Sequence, residues 1–221
     1  MPTIEPAIKF CRRGLDTGEL RQISQITIRH YDCLAESYWK GTRDHDVSQN
    51  YAAMLNAIES DSSPYAILDF GCGPGRDLEH FRSLAHEAVG LDGSAVFVAM
   101  ARAHSGCEVF HQDFLAMDLP ERRFDGVFAN AALFHVPSQE LPRVLGELRA
   151  VLKPRGVLFS SNPRGRNEEG WSGDRYSCFF DLRTWRALAR DAGFLEVTHY
   201  YRPPGLPRDE QMWLATVWRR L

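Results

Sequence analysis

Three glycines and an aspartate mark the place where this sequence can do chemistry. The run Leu68-Asp69-Phe70-Gly71-Cys72-Gly73-Pro74-Gly75-Arg76 stands where an apolar stretch gives way to a helical pattern. Glycines there permit positive φ and let a ligand reach the backbone with no Cβ in the way, and the helix beyond offers unpaired N–H groups. Asp92 follows 21 residues after Gly71, closing the next apolar run in Val89-Gly90-Leu91-Asp92-Gly93-Ser94. A carboxylate at the end of a second strand can accept hydrogen bonds from both hydroxyls of a ribose. Loop, strand-to-helix setting and acid together point to a nucleotide site.

Which nucleotide depends on the glycine spacing. A dinucleotide fingerprint, G-x-G-x-x-G, needs its third glycine at position 76, where this chain has Arg76. The glycines fall as G-x-G-x-G instead, which counts against a nicotinamide-dependent reductase. Cys72 inside the loop needs only to be small. A second group of polar residues lies further along. Asn130 and His135 follow the fourth apolar run, and the histidine's ordinary pKa lies near working pH, so it could orient or deprotonate an acceptor. His45, in Arg43-Asp44-His45-Asp46, is the second candidate base. Arg164, Arg166 and Arg202 fall at strand ends and could fork onto a carboxylate, Arg164 being favoured because it directly follows the fifth strand.

These residues need a scaffold, and the apolar pattern supplies one. Strands are expected at Ala66–Phe70, Ala88–Leu91, Glu108–His111, Gly126–Asn130 and Gly156–Ser160, with two more at Leu195–Tyr201 and Met212–Trp218. Between them run helical stripes: Leu78, Phe81 and Leu84; Phe97, Met100 and Ala101; Leu141, Val144, Leu145, Leu148 and Leu152. Asp181 reads as the N-cap of a helix that Gly193 stops. Such alternation predicts an α/β fold, a Rossmann-like, seven-stranded, mainly parallel sheet with helices on both faces. Period-2 alternation puts Leu195, Val197, His199 and Tyr201 on one face of the sixth strand, with Glu196, Thr198 and Tyr200 on the other. Residues 1–64 read as an N-terminal helical extension, with helical spacing through Ile23, Ile26, Tyr31 and Leu34 and a second helix over Val47–Ile58. The domain proper is expected over residues 65–221.

Composition narrows the partners. The chain has 221 residues, 44% hydrophobic and 25% charged, enough apolar content for one buried core with something added. A formal charge of −3 provides no broad basic field for nucleic acid. Only Lys9, Lys40 and Lys153 among the 26 basic residues are lysine. Five cysteines without a C-x-x-C pair favour neither a disulfide framework nor a zinc site, and no metal is expected. With no signal-peptide pattern at Met1–Phe10 and no run of about 18 apolar residues, the expectation is a soluble, cytoplasmic protein with no membrane partner.

The loop Asp69–Gly75 resembles motif I of the class I S-adenosylmethionine-dependent methyltransferases. The likeness continues through Asp92, His111-Gln112-Asp113-Phe114, Phe124–Asn130 and Leu152-Lys153-Pro154-Arg155-Gly156, the last close to an L-K-P-G-G turn in which Arg155 replaces the first glycine. Arg155 is therefore expected to change the local turn. The resemblance implies S-adenosyl-L-methionine as cofactor, released as S-adenosyl-L-homocysteine. It implies a cradle of Asp69, Gly71, Cys72, Gly73, Gly75, Asp92, Gly93, Ser94, Gln112, Asp113, Phe114 and Asn130, with Asp92 at the ribose and an acid beside the adenine amino group. Tyr38–Asn50, Phe134–Ser138, Ser161–Gly165 and Tyr200–Arg208 resemble, more particularly, the methyltransferases of ovothiol biosynthesis. That likeness implies methylation of an imidazole nitrogen of 5-thiohistidine and pairing with an iron-dependent sulfoxide synthase. It suggests Tyr38, Trp39, Arg43, Asn162, Arg164, Tyr201 and Arg202 around the acceptor, with His135, His45 and Asn130 nearest the chemistry. Another small amine, acid or thiol is the alternative acceptor.

Overall fold

The structure is a computed structural model and describes residues 14–59 and 63–221. Cys11 and the rest of residues 1–13 lie outside them, so the expectations for that stretch are not addressed.

Helix α1 (Thr17–Thr42) begins at a reciprocal cap. Asp16 Oδ1 accepts from the Glu19 N–H at 2.9 Å, and Glu19 Oε2 accepts from the Asp16 N–H at 2.8 Å. A short helix, α2 (Ser48–Leu55), follows. Then come strand β1 (Ala66–Phe70), α3 (Arg76–Ser83), β2 (Glu87–Asp92), α4 (Ala95–Ser105), β3 (Glu108–His111) and β4 (Phe124–Asn130). The second half has α5 (Leu141–Val151), β5 (Leu152–Pro163), the hairpin β6 (Glu168–Ser172) and β7 (Arg175–Phe179), α6 (Leu182–Asp191), β8 (Phe194–Arg202) and β9 (Trp213–Arg220).

The seven-stranded sheet has the order β3-β2-β1-β4-β5-β9-β8, with β9 antiparallel to both its neighbours and the remaining pairs parallel. The strand order reverses between β2 and β4 on either side of β1. Ligands in such sheets bind in the crevice beyond the carboxyl ends of those strands. Buried apolar side chains fill both faces: Leu68, Leu91, Leu145 and Trp218 on one, Ile67, Phe81, Phe128 and Phe159 on the other. The Rossmann-like expectation holds.

Four local expectations differ from the structure. The β6–β7 hairpin has no counterpart in the strand pattern, because its strands are short, β6 is largely polar and interrupted by Gly170, and only β7 carries buried side chains. Leu152 starts β5 rather than ending α5. A bulge between Glu196 and Thr198 shifts the register of β8 and puts Glu196 and His199 together, Oε1 to Nδ1 at 2.9 Å. On α1, Leu34 is exposed, and the inward face runs through Ile23, Ser24, Thr27, Tyr31 and Tyr38.

Candidate active site

The glycine loop bridges β1 and α3 at the switch point. Gly71 has φ 74°, and a Cβ there would stand 2.5 Å from the Ala132 Cβ; Gly75 has φ 96°, and its Cβ would meet the Ala101 backbone at 2.8 Å. Any side chain at either position is excluded by both strain and space. The Asp92 carboxylate is buried and ties the loop to β2. One oxygen accepts from the Gly73 N–H and the other from the Ser94 N–H, both at 2.9 Å. Burial pushes its pKa up to about 6 against those two bonds.

Around this acid is a cavity lined by Gly71, Gly73, Gly93, Ser94, Phe97, Asp113, Phe114, Ala131 and His135, roofed by Ile23, Ser24, Thr27, Ile28, Tyr31 and Tyr38 of α1. The roof is fastened at both ends of the cradle. Ser24 Oγ donates to Asp113 Oδ2 at 2.5 Å, and Ser94 Oγ donates to Asp32 Oδ1 at 2.6 Å while capping α4. Asp113 also accepts from the Leu115 N–H at 2.8 Å. Asp69 is buried under the loop with an oxygen that meets no donor, and burial raises its pKa well above the carboxylate range. A cradle of bare backbone with a carboxylate at the end of β2 fits a nucleoside cofactor such as S-adenosylmethionine. Asp92 would take the ribose, Gly71 and Gly73 would let it approach, and Asp113 and Phe114 would flank the base.

A second cavity adjoins the first and shares Tyr31, Tyr38, Gly71, Gly73 and Ala131 with it. Its further walls come from Trp39, Thr42, His45, Asp46, Arg76, Asp77, Asn130, Phe134, Ser161, Arg175, Arg202, Pro203 and Trp213. Asn130 sits in a buried polar chain. Its Nδ2 donates to Asp77 at 3.3 Å and its Oδ1 accepts from Asn50 at 3.0 Å, while Tyr200 O–H donates to Asn50 at 2.9 Å. Asp77 is held by Tyr51 O–H at 2.5 Å and by a bidentate Arg76 at 2.6 and 3.0 Å. Burial together with the Asp77 charge pushes the Tyr51 phenol up, and burial raises Tyr38 to about 12 and Tyr200 to about 12.

His135 stands between the cavities, and its surroundings correct the expectation of a titrating base. Nδ1 faces the Tyr176 carbonyl at 2.8 Å, so it carries the proton; Nε2 is then the acceptor for Tyr31 O–H at 2.7 Å. Burial lowers the His135 pKa to about 4. Tyr31 itself is raised by burial, partly offset by the neighbouring Arg175 guanidinium.

The other expected residues divide. Cys72 and Gly75 lie in the loop, and Tyr38, Trp39, His45, Asn130 and Arg202 line the second cavity; His45 is exposed at its edge. Gln112 spends its amide on the backbone of Asp118, at 2.9 and 3.0 Å. Arg43 is exposed and pairs with Asp44 at 3.2 Å. Arg164 bonds the Arg208 carbonyl and lies over the Tyr201 ring, 5.6 Å from its centroid. Asn162 is buried in β5 with an unmet Oδ1. Arg43, Asn162, Arg164 and Tyr201 are therefore outside the cavity walls. Tyr31 and Arg175 were absent from the expected set. Tyr31 carries a helical-spacing signal only, and Arg175 lies in the hairpin that the pattern did not reveal.

Residues 67–156 match the family described as a methyltransferase domain. The ubiquinone biosynthesis O-methyltransferase of Rhodopseudomonas palustris (strain BisB5) is 33% identical over 168 residues, covering 72% of this chain and 62% of that protein. The trans-aconitate 2-methyltransferase of Methylobacterium radiotolerans is 36% identical over 126 residues, covering 55% of this chain and 47% of that protein. The chain thus spans less than two thirds of either relative. Among solved structures, the Burkholderia thailandensis 1,6-didemethyltoxoflavin-N1-methyltransferase, with bound 1,6-didemethyltoxoflavin and S-adenosylhomocysteine, superposes with a TM-score of 0.78 at 19% identity, covering 99% of this chain and 98% of that one. Among the described residues no helix is long and apolar enough to cross a membrane, and no group of His, Cys, Asp or Glu could hold a metal. In glycine loop, Asp92 cradle and strand order the chain is thus similar to the class I S-adenosylmethionine-dependent methyltransferases, with the methyltransferase-domain match confined to residues 67–156.

Proposed function

We propose that this protein transfers a methyl group from S-adenosylmethionine to an imidazole nitrogen of 5-thiohistidine, giving ovothiol. One observation carries the reading. The four segments that resemble ovothiol methyltransferases are scattered from Tyr38 to Arg208, yet each contributes to the wall of the second cavity: Tyr38, Trp39, His45 and Asp46; Phe134; Ser161; Arg202 and Pro203. His135 belongs to the wall of the adjoining cradle, directly behind Tyr31. The Burkholderia neighbour, with the same fold, is named an N1-methyltransferase.

When bound, S-adenosylmethionine supplies a methyl group already activated for displacement by the positive sulfonium. The chain's own work is then alignment and exclusion of water. Tyr38 and Trp39 close the acceptor space from above, with α1 as the lid and residues 65–221 as the body. Asn130 holds an amide at the end of β4, fixed by Asp77 and Asn50, where it can orient a ring nitrogen. Tyr31, held by His135, offers its hydroxyl at the junction of the two cavities. His45, at the open side, is the group that can pass a ring proton to solvent. The acceptor would come from an iron-dependent sulfoxide synthase working beside this chain.

A second reading has its own support. Arginines in the cavity suit any small carboxylic acid, and one of the relatives is a trans-aconitate 2-methyltransferase. Purified protein with S-adenosylmethionine and either 5-thiohistidine, histidine, trans-aconitate or 4-hydroxybenzoate separates the two by mass spectrometry of the products. A methylated 5-thiohistidine, with the ring nitrogen identified by NMR, is the expected outcome. Transfer to another acid with none to 5-thiohistidine would refute it.

A further inference from the structure

Three arginines face the acceptor cavity, and they are not equivalent. Arg76 is neutralised by its bidentate contact with Asp77. Arg202 donates to the Asp46 carbonyl at 2.6 Å, with the Asp46 carboxylate near by. Arg175 faces the Tyr31 hydroxyl but has no carboxylate partner among the described residues, and its Nε, like that of Arg202, is shut off from water with no acceptor. A half-buried guanidinium with a phenol but no carboxylate beside it has its charge unmatched until an anion joins it.

Its mounting is rigid. The next residue, Tyr176, is buried and pinned at three points: its N–H donates to Thr27 Oγ1 at 3.1 Å, its hydroxyl to Glu169 Oε1 at 2.8 Å, and its carbonyl faces His135 Nδ1 at 2.8 Å. Glu169 on the other strand of the hairpin also accepts from the Ser138 N–H at 3.1 Å. The β6–β7 hairpin is thereby clamped to α1 and to the loop after β4, with Arg175 at the start of β7. A guanidinium with no carboxylate of its own on a clamped support is how a protein pre-organises recognition of a planar anion.

We infer that Arg175 is the receptor for the carboxylate of the methyl acceptor, and that the β6–β7 hairpin exists to present it. The acceptor is thus an organic acid or amino acid rather than a neutral amine, phenol or thiol. Arg202 adds positive charge to the same cavity. The assignment rests on the second cavity being the acceptor site; it does not require that the acceptor be 5-thiohistidine.

The test is calorimetry on protein saturated with S-adenosylhomocysteine, titrated with acids and their decarboxylated counterparts: 5-thiohistidine and 5-thiohistamine, histidine and histamine, 4-hydroxybenzoate and phenol. The wild type is expected to bind at least one acid about tenfold or more tighter than its neutral-tailed partner. Arg175→Gln should cut that preference to about twofold or less, with S-adenosylhomocysteine affinity held within about twofold. Arg175→Lys keeps the charge but not the fork, and should fall between. If Arg175→Gln also loses S-adenosylhomocysteine, the lysine variant decides: an undiminished preference there overturns the assignment. It is equally overturned if the wild type prefers no acid, or if the glutamine variant keeps the full preference. Binding of another acid through Arg175, with none of 5-thiohistidine, would uphold the receptor and refute the acceptor.

Discussion

Tyr31 O–H donates to Nε2 of His135 at 2.7 Å, because the opposite ring nitrogen must give its proton to the Tyr176 carbonyl. The imidazole is therefore a fixed acceptor with its lone pair engaged, and burial that lowers its pKa to about 4 keeps it neutral. His135 positions Tyr31 instead of titrating near neutrality. Between about pH 6 and 8 the rate–pH profile should show no inflection that His135→Gln removes. Tyr31→Phe strips the donor from a buried acceptor and should lower kcat, with the cofactor Kd shifted less. A limb near the ordinary histidine pKa that disappears in His135→Gln would contradict this.

The same histidine and Asp92 act on stability with opposite signs. His135 falls from an ordinary value of 6.5 to about 4, so in between the unfolded chain binds the proton and acid destabilises the fold. Asp92 rises from 3.8 to about 6, so the folded chain binds the proton first and acid favours the fold. Each proton is worth about 1.4 kcal/mol per pH unit, and over roughly pH 4 to 6 the two slopes cancel. Compared with wild type, His135→Gln should gain relative stability as pH falls through that window, and Asp92→Asn should lose it. Urea unfolding at pH 4.5, 5.25 and 6, each pH being an approximate sampling point within that window, reads both slopes. Parallel curves for all three proteins would refute the assignment.

The proposed place of Asp92 in the cradle gives a prediction for cofactor binding. If its carboxylate accepts from the ribose hydroxyls, as proposed, affinity for S-adenosylmethionine should weaken as pH drops through about 6. Asp92→Ala should cost about 1–3 kcal/mol of that affinity, the range for buried donors left unmet, and should flatten the pH dependence. Calorimetry across the range measures both. Unchanged affinity would remove Asp92 from the site.

The sheet and cradle were legible because their signals are local. Buried parallel strands are short apolar runs, and Gly71, Gly75 and Asp92 have roles tied to a strand–turn–helix unit that the sequence spells out. The acceptor side was less so. The inward face of α1 includes Ser24, Thr27, Tyr31 and Tyr38, polar and aromatic where it lines the cavity, so an apolar stripe through Leu34 leads to the solvent instead. The β6–β7 hairpin alternates weakly, and its side chains serve clamps such as Glu169 to Tyr176. Arg175 was thus hidden, while Arg164, read from its place after β5, turns to the Arg208 carbonyl. A bulge in β8 similarly undid the face assignment of His199, since alternation carries no mark of an extra residue.

The Asn130 chain should be sensitive to small changes. Asn50 is fully buried and joins Tyr200 to Asn130, so Asn50→Ala leaves the Asn130 amide oxygen without its partner and the Tyr200 hydroxyl with only the Gln49 carbonyl, at 3.2 Å. A loss of about 1–3 kcal/mol in stability is expected, with kcat falling as Asn130 loses its orientation. Denaturant unfolding and steady-state kinetics on the same sample check it. Asn50→Asp keeps the acceptor for Tyr200 but not the donor to Asn130, so it should spare less activity than stability.

Arg155 carries the last prediction. Its place in the Leu152–Gly156 turn is one where a glycine would be at ease, and the expectation was that the arginine changes the turn. The backbone there is left-handed, with φ 63°. A Cβ in that region costs roughly 1–2 kcal/mol, of which the extra entropy of an unfolded glycine returns part. The guanidinium pairs with Glu59, but Glu59 also holds Arg219 at 2.9 Å, so the outer contact is not the reason for the conformation. Arg155→Gly and Arg155→Ala both delete that contact, and their difference isolates the backbone. The glycine variant should be the more stable by about 1 kcal/mol in urea, with unchanged cofactor affinity. Equal stability of the two would mean that position 155 leaves the left-handed region in solution.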